Sequence, residues 1–272
     1  MAHIWTVGID GSDGSASALA WAAEHAPARD ATVGAVAVLH RPDTSAWDDV
    51  PSTAGGGEVE DRIRAWVAQH AGGAPVDVVV RRGSAAHELV EAAEVSELLV
   101  VGGRGLGRLR GLLVGSVSQR CAAHVTVPTV VVTEHRRADG GRIVVGDDGS
   151  PNAAAALRWA LGFAAPGTTI EVVHSFPLAP WLSADTVRER HPDEVEDAER
   201  TFREALAGID PDGRATPAFT LADPRLALVE AAAGADLLVV GKRGRGGLPA
   251  LLGSVSTYVL QTPPCPTVVV PE

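Results

Sequence analysis

The chain has 272 residues, of which 46% are hydrophobic and only 4% aromatic, so its cores must be built from Val, Leu, Ile and Ala. That composition suits strands buried on both faces and the helices that cover them. A formal net charge of −11 excludes a general nucleic-acid binder, which needs clustered Lys and Arg against phosphate, and argues against an anionic membrane surface.

The first apolar strand ends in Val7-Gly8-Ile9-Asp10-Gly11-Ser12. An Ala-rich helix follows, with Trp21 expected on its buried face, and a second strand should end near His40. A polar segment, 41–57, leads into another helix and a third strand over 76–81. A helix over 87–95 and a fourth strand over 98–101 come next. Leu98-Leu99-Val100-Val101 lacks polar alternation and reads as a strand buried on both faces. A Gly-rich loop, a helix opened by Gly115-Ser116 and a Val-rich strand, Thr129-Val130-Val131-Val132, complete the series.

The series then repeats. Asp10-Gly11-Ser12 returns as Asp148-Gly149-Ser150 (148 − 10 = 138), Trp21 as Trp159 (159 − 21 = 138), Gly102 as Gly241 (241 − 102 = 139) and Gly115 as Gly253 (253 − 115 = 138). One register running the whole length means two copies of one domain. We place them at 1–135 and 141–272, with a polar linker at 136–140. In the second copy the strands should end near His174 and cover 215–221 and 237–240, with a polar segment at 177–192 and a helix over 226–233. Strands alternating with helices predict parallel βαβ units: an α/β fold of two tandem, open, five-stranded, mainly parallel sheets with helices on both faces, Rossmann-like in architecture.

Ligands of open α/β sheets bind beyond the carboxyl ends of the strands. Two segments of each copy stand there: the Asp-Gly-Ser turn, and Gly102-Gly103-Arg104-Gly105, then nine residues (106–114), then Gly115-Ser116. Glycines let backbone N–H groups approach an anion, and a helix opening at Gly115-Ser116 adds unpaired donors and partial positive charge. Arg104, Arg108 and Arg110 concentrate positive charge in a net-acidic chain. Together these predict a polyphosphate cradle, with Asp10 one strand away to accept from a ribose or help hold a metal ion. Ser116 and Gln119 have the spacing of a capping box. The alternative for Asp10 and Asp148 is that each caps the helix after it.

The Gly-x-x-Gly, nine-residue, Gly-Ser pattern, the Asp-Gly-Ser after the first strand, the Leu-Leu-Val-Val-Gly before the loop and the terminal Thr-Val-Val-Val resemble the universal stress protein family, in both copies and nearly end to end. The resemblance implies an ATP-binding stress-response regulator, with magnesium accompanying the nucleotide. It implies nucleotide contacts at Asp10, Gly11, Gly102, Arg104, Gly105, Gly115, Ser116 and Val117, and at Asp148, Gly149, Gly241, Arg243, Gly244, Gly253, Ser254 and Val255. Adenine would lie near Arg41 and Ser175. It also implies a homodimer and an intrachain pseudo-dimer through the final Val-rich strands. The second loop has eight residues where the first has nine, and includes Pro249, which fixes φ and removes a donor; the first site is therefore expected to be the tighter. The alternatives are a weak ATPase, or a nucleotide-free scaffold in the second copy. A phosphate-transferring P-loop is excluded, since Gly241-Lys242 is followed by Arg243 and no glycine stands at the required distance upstream. No catalytic residue and no resident metal are assigned. Cys121 and Cys265, in no metal-like spacing, are expected to be apolar fillers in a reducing compartment. The N-terminus has no basic segment followed by an apolar one, and no apolar run reaches ~18 residues. A cytoplasmic protein with neither membrane nor nucleic-acid partners is the expectation.

Overall fold

The computed structural model describes residues 3–39, 56–105, 114–133, 141–178, 181–245 and 252–272. The chain divides into two compact units, Met1–Arg136 and Arg137–Glu272, and no helix among the described residues is long and apolar enough to cross a membrane.

Unit 1 runs β1 (His3–Ile9), α1 (Asp13–His25), β2 (Ala31–Leu39), α2 (Gly56–His70), β3 (Val76–Arg82), α3 (Ala85–Ala93), β4 (Leu98–Gly102), α4 (Ser116–His124) and β5 (Thr129–Val132). Its strands pair in parallel in the order β3-β2-β1-β4-β5. The order reverses between β1 and β4, and that switch point opens a crevice at the carboxyl ends. α1 packs with α2, and α3 with α4. β4 and β5 are buried at every apolar position, as runs without polar alternation require.

Unit 2 repeats this as β6 (Arg142–Asp147), α5 (Pro151–Phe163), β7 (Thr169–Phe176), α6 (Ala184–Arg190), α7 (Pro192–Ile209), β8 (Ala215–Leu221), α8 (Pro224–Ala231), β9 (Leu237–Gly241), α9 (Ser254–Gln261) and β10 (Thr267–Val270), with parallel order β8-β7-β6-β9-β10.

Several local features depart from the sequence expectations. α6 lies inside the segment 177–192, which reads as polar and to which the sequence reading assigns no helix. Ser183 caps it, accepting from Thr186 N at 3.2 Å, with Asp185 in its first turn and Arg188 and Arg190 in its last, charges that suit the helix dipole. β7 runs two residues past His174, and His40 lies outside the described residues. α3 and α8 each begin two residues before the expected start. Trp21 is buried, but Trp159 is only half-buried, stacked on Phe163 at 4.6 Å.

Candidate functional site

The turn after the first strand of each unit needs positive φ: Gly11 sits at +80° and Gly149 at +72°, a region costly for side chains with a Cβ. The helix cap falls one residue later. Ser12 Oγ accepts from Ser15 N at 3.2 Å and Ser150 Oγ from Ala153 N at 3.1 Å. Neither aspartate is therefore a cap. Asp10 Oδ1 accepts from Ser12 N at 3.0 Å and from Ser12 Oγ at 2.5 Å. Asp148 Oδ1 accepts from Ser150 N at 3.0 Å, and its Oδ2 from Arg245 N at 3.2 Å.

The Gly-rich loop comes up against this turn. A Cβ on Gly102 would stand 2.5 Å from the Gly14 carbonyl carbon, and one on Gly241 2.7 Å from that of Asn152. Only glycine lets the strand end meet the start of the helix so closely. A Cβ on Gly105 would stand 2.5 Å from Asp10 Oδ2, and one on Gly244 would collide with Asp148 Oδ2. The loop backbone and the carboxylate thus share one small space, which unites the two segments that the sequence singled out.

Both loops are pinned in the same way. Gly103 N donates to Val132 O at 2.7 Å and Gly115 N to Gly103 O at 2.7 Å; Lys242 N donates to Val270 O at 2.7 Å and Gly253 N to Lys242 O at 2.9 Å. A hydroxyl that the sequence reading missed completes the clamp. Ser118 Oγ donates to Gly102 O at 2.6 Å and Ser256 Oγ to Gly241 O at 2.7 Å. The repeated Gly-Ser-Val-Ser could have revealed it, because the last serine recurs as faithfully as the first.

These pins aim the start of α4 and α9 at the crevice. The first helical bonds are Gln119 N to Gly115 O and Thr257 N to Gly253 O, so the N–H groups of Ser116, Val117 and Ser118, and of Ser254, Val255 and Ser256, precede the helical ladder. The capping-box expectation is overturned. Gly115 is the N-cap and Ser116 the first helical residue, so its hydroxyl is not at the cap position and no box with Gln119 forms.

In unit 2 these parts surround a cavity of about 590 Å³, within the ~300–1,000 Å³ typical of small-molecule sites. Asp148, Ser175, Gly241, Arg243, Gly244, Gly253, Ser254 and Val255 all line it, while Gly149 does not. Its apolar wall is Val173, Leu228 and Val240 with Pro224 and Leu252, none of which the sequence reading named as a contact. Ser175 Oγ donates to Ala222 O at 2.7 Å, which leaves its oxygen able to accept. In unit 1, Asp10, Gly11, Gly102, Arg104, Gly105, Gly115, Ser116 and Val117 hold the corresponding places, with Arg104 exposed. Arg41, Arg108, Arg110 and Pro249 lie outside the described residues.

Two charged features belong to unit 2 alone. Lys242 is buried where unit 1 has Gly103, and desolvation, with the Arg243 guanidinium beside it, holds its ammonium below the ordinary lysine value. On the face of β7 opposite Val173 and Ser175, His174 Nδ1 lies 2.7 Å from Asp147 Oδ2, with its ring clustered against Phe202 at 5.0 Å and Phe219 at 5.8 Å. Burial pushes both thiols, Cys121 and Cys265, up to about 12. No group of three or more His, Cys, Asp or Glu that could hold a metal is found among the described residues.

The sequence profile of the universal stress protein family matches residues 1–133 and again 141–271. A universal stress protein of Mycolicibacterium smegmatis is 32% identical over 286 residues, covering 97% of this chain and 95% of the relative. One from Mycobacterium tuberculosis is 31% identical over 292 residues, covering 98% and 96%. Crystal structures of universal stress proteins from Archaeoglobus fulgidus (TM-score 0.69, 19% identity, 98% of each chain) and Pseudomonas aeruginosa (TM-score 0.67, 18% identity, 99% of this chain and 93% of that one) share the fold. Matched twice by the profile and along nearly its whole length by these relatives, the chain belongs to the universal stress protein family and carries that family's domain in tandem.

Proposed function

We propose that each unit binds ATP at the carboxyl ends of its sheet and that the protein acts as a nucleotide-responsive regulator of the stress response rather than as a catalyst. The observation that carries this reading is the doubly pinned loop, which aims first-turn N–H groups into a crevice that also holds a carboxylate and an arginine. Fixed backbone donors beside a helix dipole suit a polyanion.

The residues present fit a nucleotide triphosphate. Ser116 and Val117, or Ser254 and Val255, would donate backbone N–H groups to phosphate, with Arg104 or Arg243 adding charge. Asp10 or Asp148, already oriented by the serine two residues on, would accept from ribose hydroxyls. Ser175 and the apolar wall of Val173 and Leu228 would take the base. Magnesium would enter with the nucleotide, since one protein carboxylate leaves most of its octahedral shell to phosphate and water. The reading includes a homodimer. A regulatory rather than a catalytic role is part of this reading.

Calorimetric titration with ATP, together with mass spectrometry of nucleotide released on denaturation, tests the proposal. Saturable binding with no phosphate release over many hours is the expected result. Steady turnover would make the protein an ATPase, and no heat with no released nucleotide would make it a scaffold.

A further inference from the structure

The outer strands of the two sheets are protected unequally. Among the described residues β3 pairs only with β2, and β8 only with β7. Each therefore leaves one flank of backbone groups without a strand neighbour, a ready template for another strand. In unit 2 that flank is interrupted by Pro217 in the middle of β8, and proline is tolerated in an edge strand where its missing N–H would have faced outward.

Register identifies the matching residue in unit 1. Val145 is level with Val172 and then Pro217, while Val7 is level with Ala35 and then Val78; Val7 and Val145 are related by the repeat (145 − 7 = 138). Val78 thus stands where unit 2 has its proline, and it keeps its N–H. Lateral groups alternate along a strand, so Val76, Val78 and Val80 direct both N–H and C=O outward. The side chains of Asp77, Val79 and Arg81 share one face. Val79 is 46% exposed. Arg81 is already oriented by α3, donating to Glu88 O at 3.2 Å and lying 3.6 Å from the Glu88 and Glu91 carboxylates.

We propose that β3 pairs antiparallel with β3 of a second copy of this chain, about a twofold axis at Val79. Val79 is the midpoint of the seven-residue strand Val76–Arg82, so this register overlaps the whole strand. It sets Val78 opposite Val80 twice, as hydrogen-bonded pairs formed by the outward groups. It sets Asp77 opposite Arg81 of the second copy twice, as non-hydrogen-bonded pairs, in which side chains approach most closely. An axis at Asp77 would face Asp77 with itself, and an axis at Arg81 would face Arg81 with itself; both put like charges opposite. Only the axis at Val79 sets Asp77 opposite Arg81, and unit 2 has closed the same position with proline.

Sedimentation of the full chain over a range of concentrations, with matched thermal melts, tests this. Val78→Pro, which copies the device of unit 2, should weaken self-association by roughly tenfold or more while the melt changes little, since only outward donors are lost. Val79→Cys should form a disulfide dimer under mild oxidation, because residues opposite across a twofold fall within disulfide reach; the two native thiols are buried. Adding Val78→Pro to Val79→Cys should suppress that dimer. Should Val78→Pro fail to fold, the Val79→Cys cross-link alone decides. A chain monomeric at every concentration, self-association unchanged in a folded Val78→Pro variant, or a Val79→Cys variant that gives no cross-linked dimer would each overturn the proposal.

Discussion

The two units follow one chain path to different interiors at the same place. Where the first strand of each unit ends against the second, unit 1 has Ile9 beside Ala37 and unit 2 has Asp147 beside His174. The fold accepts either. A register position at a strand end can be apolar, or it can be polar if its groups meet one another and are walled by Phe202 and Phe219, because buried polar atoms are tolerated when paired. Repetition therefore conserves geometry more strictly than chemistry, and residue swaps between the copies show where the two come apart.

The largest effect is expected at that pair. His174→Ala removes a packed ring and leaves the Asp147 carboxylate half-buried without its partner, which should cost about 2–4 kcal/mol in urea unfolding. The double change Asp147→Ile with His174→Ala, which imports the unit 1 residues, should recover at least half of that loss. If it recovers none, the pair is needed for more than mutual satisfaction.

The helix start comes next. Gly14 of α1 has Asn152 as its counterpart in α5, and a Cβ on Gly14 would run into Arg104 O. Gly14→Asn should cost about 1–3 kcal/mol through overpacking. The reverse change, Asn152→Gly, should cost only about 1 kcal/mol, the ordinary penalty of a helical glycine. Equal costs would show that the loop in unit 1 moves aside as readily as that in unit 2 stands.

Nucleotide affinity compares the two sites directly. A Cβ on Gly115 has ordinary room, 3.7 Å from Gly103 O, so Gly115→Val should fold; its branched side chain would stand at the mouth of the first helical turn. ATP affinity at that site should fall by roughly tenfold or more, the equivalent of one lost hydrogen bond to a charged oxygen. By the loop-length argument, Asp10→Ala should abolish the tighter calorimetric phase and Asp148→Ala should spare it. The opposite result would make unit 2 the principal site. The smallest effect should be shared: Ser118→Ala and Ser256→Ala each remove one clamp to a strand-end carbonyl, and each should cost about 1 kcal/mol. A marked difference between them would show that the two clamps are not equivalent.

The architecture was legible because its signals are periodic and occur twice. Buried runs such as Leu98-Leu99-Val100-Val101 announce parallel strands, and the common offset announces the duplication. The glycines of the site were legible too, since the need for glycine is written in the residue type. What the sequence withheld depends on which atoms meet. The exclusion of Ser116 from the cap position follows from where α4 begins, one residue earlier than a capping box of Ser116 and Gln119 would need. The apolar wall at Val173 and Leu228 looks like any core until the switch point opens beside it. Asp147 and His174 are 27 positions apart, and only the β6–β7 register brings them within 2.7 Å.

The pins at the two ends of each Gly-rich loop carry a further consequence, in polymer terms. Gly103 and Gly115 fix a span of eleven intervening residues, Lys242 and Gly253 a span of ten. The entropy of closing a flexible chain grows only with the logarithm of its length, so one residue alters it by about 0.1 kcal/mol. The length of chain between the pinned ends is therefore nearly neutral for the stability of the sheet below. Insertions and deletions there are open to drift or selection without disturbing the fold, and a loop one residue shorter is no sign of a decaying domain.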